Sequence, residues 1–284
     1  MLTTSEKSTS HHTFQWRLIK SPASSAAFNM ALDEALLTTA AQKHSPPTLR
    51  VYSWSVPSLS LGYAQPASDI DLAELLKHNW QHVRRPTGGK AILHTDELTY
   101  SITTALDEPL MAGSLLESYK RISLALQKAL HSLGMQTSAD DNHDLVPNQS
   151  RKEPVCFQTP SNYEITWKGK KLIGSAQARK LGGVLQHGSL PLYGDLSRIT
   201  LVLAYPSLVE RDSAAKNTLN QATTLENAAG RRISWDEAAN SMIDNFTNEF
   251  GISFISSQPT QEELEITNEL VQTKYASDSW NFRI

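Results

Sequence analysis

The sequence predicts an α+β fold: a mixed/antiparallel central β-sheet flanked by helices, followed by a helical C-terminal part. Three observations predict it. Short β-rich segments recur between Gln15 and Tyr193, and several alternate apolar with polar residues. Helical stretches stand apart from these strands instead of following each one in turn, which is α+β rather than α/β order. After Asp195 the pattern turns helical. The chain has 284 residues, 39% of them hydrophobic, enough to bury a substantial core.

The first ordered element is the strand "QWRLI". A helix follows "SPASSAA", because Phe28, Ala31, Leu32, Ala35 and Leu36 fall at the spacing of one buried helical face. "TLRVYSW" and "SLSLGY" alternate and are β-rich, so they are predicted as strands around a turn at Pro57. "DIDLAELLKHNW" reads as a short helix, "HVRRPT" as a strand running into a loop, and "LTYSITTAL" as a strand. In "LLESYKRISLALQKALHSLGM" the stripe Tyr119, Ile122, Leu126, Leu130 and Leu133 predicts a long helix, and Gly134 is placed to end it. The polar "TSADDNHDLVPNQSRKEP" reads as a surface loop. "NYEITW" and "KKLIGSAQAR" are predicted as a hairpin turned at "KGK", and "GVLQHGSLPLY" as a further strand. Ser234 and Glu237 have capping-box spacing ahead of Ala238, Met242, Phe246 and Phe250. Thr260 and Glu263 repeat that spacing ahead of a last helix.

The formal net charge is −3, so no basic excess points to nucleic acid, and no acidic run points to a disordered acidic tail. A single cysteine, Cys156, excludes an internal disulfide framework and suits a reducing cytosol. Residues 1–13 are polar, lack the apolar stretch of a signal peptide, and read as a disordered tail. No apolar run approaches the roughly 20 residues that cross a bilayer. The expectation is a soluble, cytoplasmic protein whose partners are neither nucleic acid nor membrane. The nine histidines are scattered without zinc spacing, so no metal is expected.

Three stretches have the composition of chemistry. In "RRPTGGKAILH", Arg84 to His94, paired glycines follow two arginines; they mark a tight turn, or a backbone laid against a ligand. It is not a phosphate loop, since the sequence has neither G-x-x-x-x-G-K-[ST] nor G-x-G-x-x-G. "GKKLIGSAQARKLGGVLQHGSL" sets small residues beside a lysine and a histidine; taken one by one, these residues are better explained by close strand packing and a structural histidine than by a ligand. Cys156 sits in "CFQTPSNYE". A lone cysteine is most often a small buried apolar residue. As a nucleophile it needs a nearby cation to lower its pKa from about 8.5, and Lys168, Lys170 and Lys171 follow it in the hairpin.

Together and in this order, these stretches resemble the biotin/lipoate protein ligase superfamily. "RRPTGGKAILH" resembles its Arg-Arg-x-x-Gly-Gly-x-x-x-x-His loop, "GKKLIGSAQAR" its Gly-x-Lys-x-x-Gly-Ser-Ala strand, and "LQHGSLPL" its His-Gly strand. "AFNMALDEALL" near the start and "TKYASDSWNFR" at the end match too, so the resemblance spans roughly Trp16 to Arg283. "CFQTPSNYE" is similar to the Cys-Phe-x-x-Pro-Ser-x-Tyr-Glu segment of octanoyltransferases of the LipM type, with Asn162 at the variable position. The resemblance implies a catalytic domain of the class II aminoacyl-tRNA synthetase/biotin-protein ligase kind over 14–284, its helical segment from about 196 onward.

The resemblance further implies that Cys156 carries an octanoyl group as a thioester and that Lys171 makes it reactive. Arg85, Gly88, Gly89 and His94 match the acyl-binding loop; Gly174, Ser175, Ala176, His187 and Gly188 match the other pocket wall. The implied donor is octanoyl acyl carrier protein. The implied acceptor is a lysine on a lipoyl-domain protein, such as the glycine cleavage H protein or a 2-oxoacid dehydrogenase E2. No cofactor is implied. Three other readings share these motifs. An ATP-dependent lipoate ligase needs the same lysine and glycines but no cysteine; an octanoyl amidotransferase moves the chain between lipoyl domains; a non-catalytic module only binds them.

Overall fold

In chain order the first half of the protein runs β1 (Phe14–Lys20), α1 (Ala26–Ala41), β2 (Thr48–Tyr52), β3 (Ser58–Leu61), α2 (Leu72–Lys77), β4 (Gln81–Arg84), β5 (Ile92–His94), β6 (Glu97–Ala105) and α3 (Leu115–Ser132). The second half runs β7 (Ser138–Asp140), β8 (Glu164–Trp167), β9 (Lys170–Lys180), β10 (Gly183–Pro191), α4 (Leu208–Gln221), α5 (Leu225–Ala229), α6 (Trp235–Phe250), β11 (Ile252–Ser256), α7 (Gln261–Leu270) and α8 (Asp278–Asn281). This is a computed structural model that describes residues 14–140 and 164–284. The expected tail at 1–13, most of the expected loop and Cys156 lie outside the described residues.

Eight strands form one mixed sheet in the order β11-β1-β2-β6-β10-β9-β8-β7, and β4-β3-β5 form a second sheet. In the main sheet β1 pairs in parallel with β2 and β11, while the pairings β2–β6, β6–β10, β10–β9, β9–β8 and β8–β7 are antiparallel. Two expectations change, at the C-terminal part and at the loop after α3. The C-terminal part is not wholly helical, because β11 returns to pair with β1, Phe14 opposite Ile252. The two strands expected around Pro57 both form, and the structure adds that β2 joins the main sheet and β3 the small one. The expected loop begins with a strand, Ser138–Asp140, on the edge beside β8.

Alternation along the central strands explains how both faces of the main sheet are used. In β6, Leu98, Tyr100 and Ile102 enter a core shared with Ile122 and Leu126 of α3 and Met242 and Phe246 of α6. Thr99, Ser101 and Thr103 take the opposite face. A polar strand face usually meets water, yet these three residues are buried, because α1 packs across β6 and β10 on that side. α1 is covered on two sides: Met30, Asp33 and Leu37 are buried toward the sheet, and α7 packs against the helix elsewhere, where Glu263 accepts from Thr39. The result is a buried polar layer between helix and sheet.

Local chemistry sets the ends of the elements. Ser25 caps α1 by accepting from Phe28 N, and Ser114 and Glu117 form a reciprocal capping box on α3. The box at Thr260 and Glu263 is complete. At Ser234 only one half forms, since the Glu237 carboxylate turns to Arg231 instead. The β8–β9 hairpin turns at Lys168 and Gly169, both at positive φ (50° and 75°), the requirement of a tight two-residue hairpin turn.

Candidate active site

The two motif stretches, far apart in sequence, meet at one narrow, tightly closed slot. Arg85, Gly88, Gly89 and His94 line one side; Gly174, Ser175 and Ala176 of β9 and His187 and Gly188 of β10 line the other. Antiparallel pairing explains the second wall, since His187 lies opposite Ala176 and Gly188 opposite Ser175. The remaining wall is mainly apolar or aromatic: Met30 of α1, Tyr52, Trp54 and Ile92.

The glycines serve different ends. A Cβ on Gly88 would meet no described atom within 4 Å, so this glycine borders open space. Gly188 is needed for packing: a Cβ there would stand 2.4 Å from the Ser175 hydroxyl oxygen and 2.5 Å from a Tyr100 ring carbon. That hydroxyl and the Tyr100 phenol are hydrogen-bonded at 2.8 Å. Burial pushes the Tyr100 phenol up to about 12, against the hydrogen bonds of Ser175 and Gln186. Gly62 was not singled out in the sequence, yet its Cβ would stand 1.8 Å from the Gly89 carbonyl oxygen, so only glycine lets the paired-glycine loop approach.

Two buried carboxylates organise the polar layer beside the slot. Asp33 of α1 accepts from Arg50 Nη1 at 2.7 Å, the Tyr52 hydroxyl at 2.9 Å and the Ser101 hydroxyl at 2.7 Å. Burial alone would raise its pKa; Arg50, His187 and Ser101 outweigh it and hold the carboxyl below the ordinary aspartate value. Burial also pushes His187 below the ordinary histidine range, against the pull of Asp33. Its ring is therefore neutral near pH 7. Nδ1, 3.4 Å from the acceptor-only carboxylate, carries the proton, and Nε2 accepts from the Thr87 hydroxyl at 2.6 Å. Helix, sheet and glycine loop are thus tied through one imidazole.

Glu97 plays the matching part for His94. It accepts from His94 Nδ1 at 2.7 Å and from the hydroxyls of Thr99 and Ser189. Burial would raise it, but His94 and these hydroxyls hold it below the ordinary glutamate value. The His94 ring stacks on Trp54 with centroids 4.0 Å apart, and its Nε2 meets the Ser60 hydroxyl at 2.6 Å. Arg85 donates to Ser60 and to the carbonyls of Gly88 and Lys90, which pins the loop's backbone. Spacing alone could not find Asp33, Glu97, Ser60 or Trp54 as site residues. The signal was weak: Asp33 is an acid inside an otherwise apolar helical segment, within the matching stretch "AFNMALDEALL".

Lys171 is not an exposed charge at a hairpin end. It is buried, and its ammonium is ion-paired with Glu164 across the hairpin. A β-bulge puts it there: Ile165 faces Ile173 while Thr166 faces Lys171, leaving Leu172 as an extra residue. Three consecutive side chains, Lys171 to Ile173, are therefore buried, and Lys170 turns out to the Leu219 carbonyl. Lys171 precedes Gly174 on β9 and is not part of the slot wall itself. Among the described residues no group of three or more His, Cys, Asp or Glu side chains is placed to hold a metal ion.

The sign of the His187 effect is testable. The unfolded chain protonates its histidine near pH 6.5, the folded chain only at lower pH, so acidification favours the unfolded state. Stability should fall as pH drops below about 6.5, and fall again near pH 4 as the depressed Asp33 carboxyl resists protonation. Denaturant titrations at pH 7.5 and 5.5 should show the first loss, to which His82, also pushed down by burial, adds, and His187→Gln should reduce it. An equal slope in that variant counts against the assignment.

Residues 25–247 match the family described as the lipoyl protein ligase A/B catalytic domain. The chain is 38% identical over 272 residues to Octanoyltransferase LipM of Bacillus subtilis (strain 168), covering 94% of this chain and 98% of that one. It is 39% identical over 276 residues to Octanoyltransferase LipM of Kyrpidia tusciae, with the same coverage of each. Among solved structures, one from a study of a bi-partite lipoate protein ligase and its E2 lipoyl domain from Thermoplasma acidophilum aligns with a TM-score of 0.78. It is 24% identical and covers 95% of this chain and 96% of its own, a likeness of fold.

Proposed function

Because the chain belongs to the lipoyl protein ligase A/B catalytic domain family, we propose that it is an octanoyltransferase working through a thioester on Cys156. The observation that carries the reading is the slot, in which every predicted acyl-contacting residue meets around an apolar wall. Residues 14–284 act as one catalytic domain on this reading. Among the described residues no helix is long and apolar enough to cross a membrane. The reading takes the cytoplasm as the place of work.

The chemistry divides into two transfers. The Cys156 thiolate attacks the carbonyl of an octanoyl thioester on acyl carrier protein; the donor's C–S bond breaks, and the carrier thiolate leaves and takes up a proton. A neutral lysine amine on a lipoyl domain then attacks the enzyme thioester. The Cys156 C–S bond breaks, an amide forms, the amine loses a proton, and the thiolate is restored. Splitting the reaction lets two protein substrates use one site in turn. Arg85, Gly88, Gly89 and His94 on one side, and Gly174 to Ala176, His187 and Gly188 on the other, hold the chain. At about 0.8 kcal/mol per buried methylene, an eight-carbon chain gains about 5 kcal/mol there.

Intact mass spectrometry tests this directly. Mixed with octanoyl carrier protein and no ATP, the protein should gain one octanoyl group, and a lipoyl domain should then remove it. A sixteen-carbon carrier thioester should react much more slowly. An adduct that appears only with ATP overturns the reading.

Lys171 is assigned the stabilisation of the thiolate by its ammonium. Lys171→Ala should move thiol alkylation of Cys156 to higher pH. Each pH unit of that movement corresponds to about 1.4 kcal/mol of thiolate stabilisation. An unmoved alkylation profile removes the role.

A further inference from the structure

Across the Gly88–Gly89 loop from the slot lies a second, larger cavity of about 920 Å³, open to solvent. The two cavities share those glycines and divide β9 between them: Gly174 to Ala176 line the slot, Ala178 to Lys180 the vestibule, with Leu181 of the turn that follows. Nothing in the transfer chemistry above uses the vestibule.

Its charge is one-sided. Lys90, Lys180 and Lys274 line it against one carboxylate, Glu34, while the guanidinium of Arg179 is taken up by the carbonyls of Met111, Gly113 and Ser114. That carboxylate is already heavily engaged. Lys274 Nζ lies 2.7 Å and 2.8 Å from its two oxygens, Lys180 Nζ lies 3.5 Å away, and the Tyr275 hydroxyl donates to it. A π-helical turn, Val271–Tyr275, brings Lys274 and Tyr275 onto it together. Burial pushes Lys180 below the ordinary lysine value; Glu34 resists this and Lys274 adds to it. Among the described residues Lys90 has no ion-pair partner, and it sits on the loop dividing the two cavities. Aromatic faces steady the rim: Lys274 lies 4.2 Å from the Trp280 ring centre, and Arg283 lies 3.7 Å from that of Tyr63. Cations crowded in a cleft with too few carboxylates attract an anion, and fixed ones bind it without first having to be ordered.

We propose that this vestibule is an oxyanion-binding subsite, built by Lys90, Lys180 and Lys274, for an anionic group on the ligand that occupies the slot. It rests on the acyl-slot reading above for the identity of that ligand. The oxyanion has two chemical sources: a phosphate on the pantetheine arm of a thioester donor, or a carboxylate at the far end of the acyl chain. The first would lie beyond the head of the thioester and the second beyond its tail; the lining that slot and vestibule share is Gly88 and Gly89.

Calorimetry on the full chain separates them, using amides in place of thioesters so that no transfer occurs. The three probes are an octanoyl amide of the neutral pantetheine arm, the same arm phosphorylated, and the neutral arm carrying an ω-carboxyoctanoyl chain. One anionic probe should bind about ten-fold tighter than the neutral one, and its identity names the source. The Lys90→Gln/Lys180→Gln double variant should bring that probe to the neutral probe's affinity, and leave the neutral probe unchanged, which also reports an intact slot. Equal binding of all three to wild type, or an anion advantage that survives in the double variant, overturns the subsite. Protein that forms the acyl-enzyme but binds all three equally loses the subsite and keeps the transferase reading. Protein that binds an anionic probe tightly but never acylates loses the transferase reading and keeps the subsite. Binding of none overturns both.

Discussion

Cys156→Ser protein should form no octanoyl thioester and should modify a lipoyl domain at least about 10³-fold more slowly than wild type, the scale on which removing a covalent nucleophile acts. The change is nearly isosteric, so the unfolding midpoint should stay close to that of wild type. The measurement is twofold: adduct mass after exposure to octanoyl carrier protein, and octanoyl transfer with ATP absent and present. A ligase would need ATP and would tolerate the serine. Undiminished modification by the variant would therefore leave Cys156 as a packing residue and hand the reaction to the ligase mechanism.

The second large effect concerns stability. Asp33→Ala should cost about 3–5 kcal/mol, because it leaves the fully buried Arg50 without its anionic partner. It also strips Tyr52 and Ser101 of a common acceptor. Domains are typically stable by about 5–15 kcal/mol, so the variant should be close to unfolding at 37 °C. Urea titration measures it. Asp33→Ala combined with Arg50→Met should cost less than the two single changes added together, since the double change removes the stranded charge. A single-variant cost under about 1 kcal/mol would show that the layer beneath α1 does not depend on this carboxylate.

These two residues mark how unevenly the site could be read from the chain. The nine slot residues predicted from the glycine loop and the β9 and β10 stretches all line one cavity, because their motifs are local: a loop needing bare backbone, and two neighbouring strands of a short hairpin. Asp33 and Glu97 had no such signature. Each is a common residue whose importance comes from partners distant in sequence, Arg50, Ser101 and His187 for Asp33, and Ser189 for Glu97.

The elements divide along the same line. Period-two alternation determined β6, the 3.6-residue stripe and its closing glycine determined α3, and "KGK" determined the turn between β8 and β9, because each depends on neighbours within a few residues. Which strands pair depends on the whole chain. Sequence therefore could not tell that β3 leaves the main sheet after Pro57, or that β11 crosses back to β1 from within a helical region. The predicted buried face of α1 is incomplete for that reason too: Met30, Asp33 and Leu37, outside it, are buried against the main sheet, while α7 also packs on the helix. Tertiary structure also decided the meaning of Thr99 and Ser101. By local pattern they belong to a water-facing strand edge. Only the packing of α1 over them turns that polar face into the buried layer that holds Asp33, Glu97 and the two histidines in place.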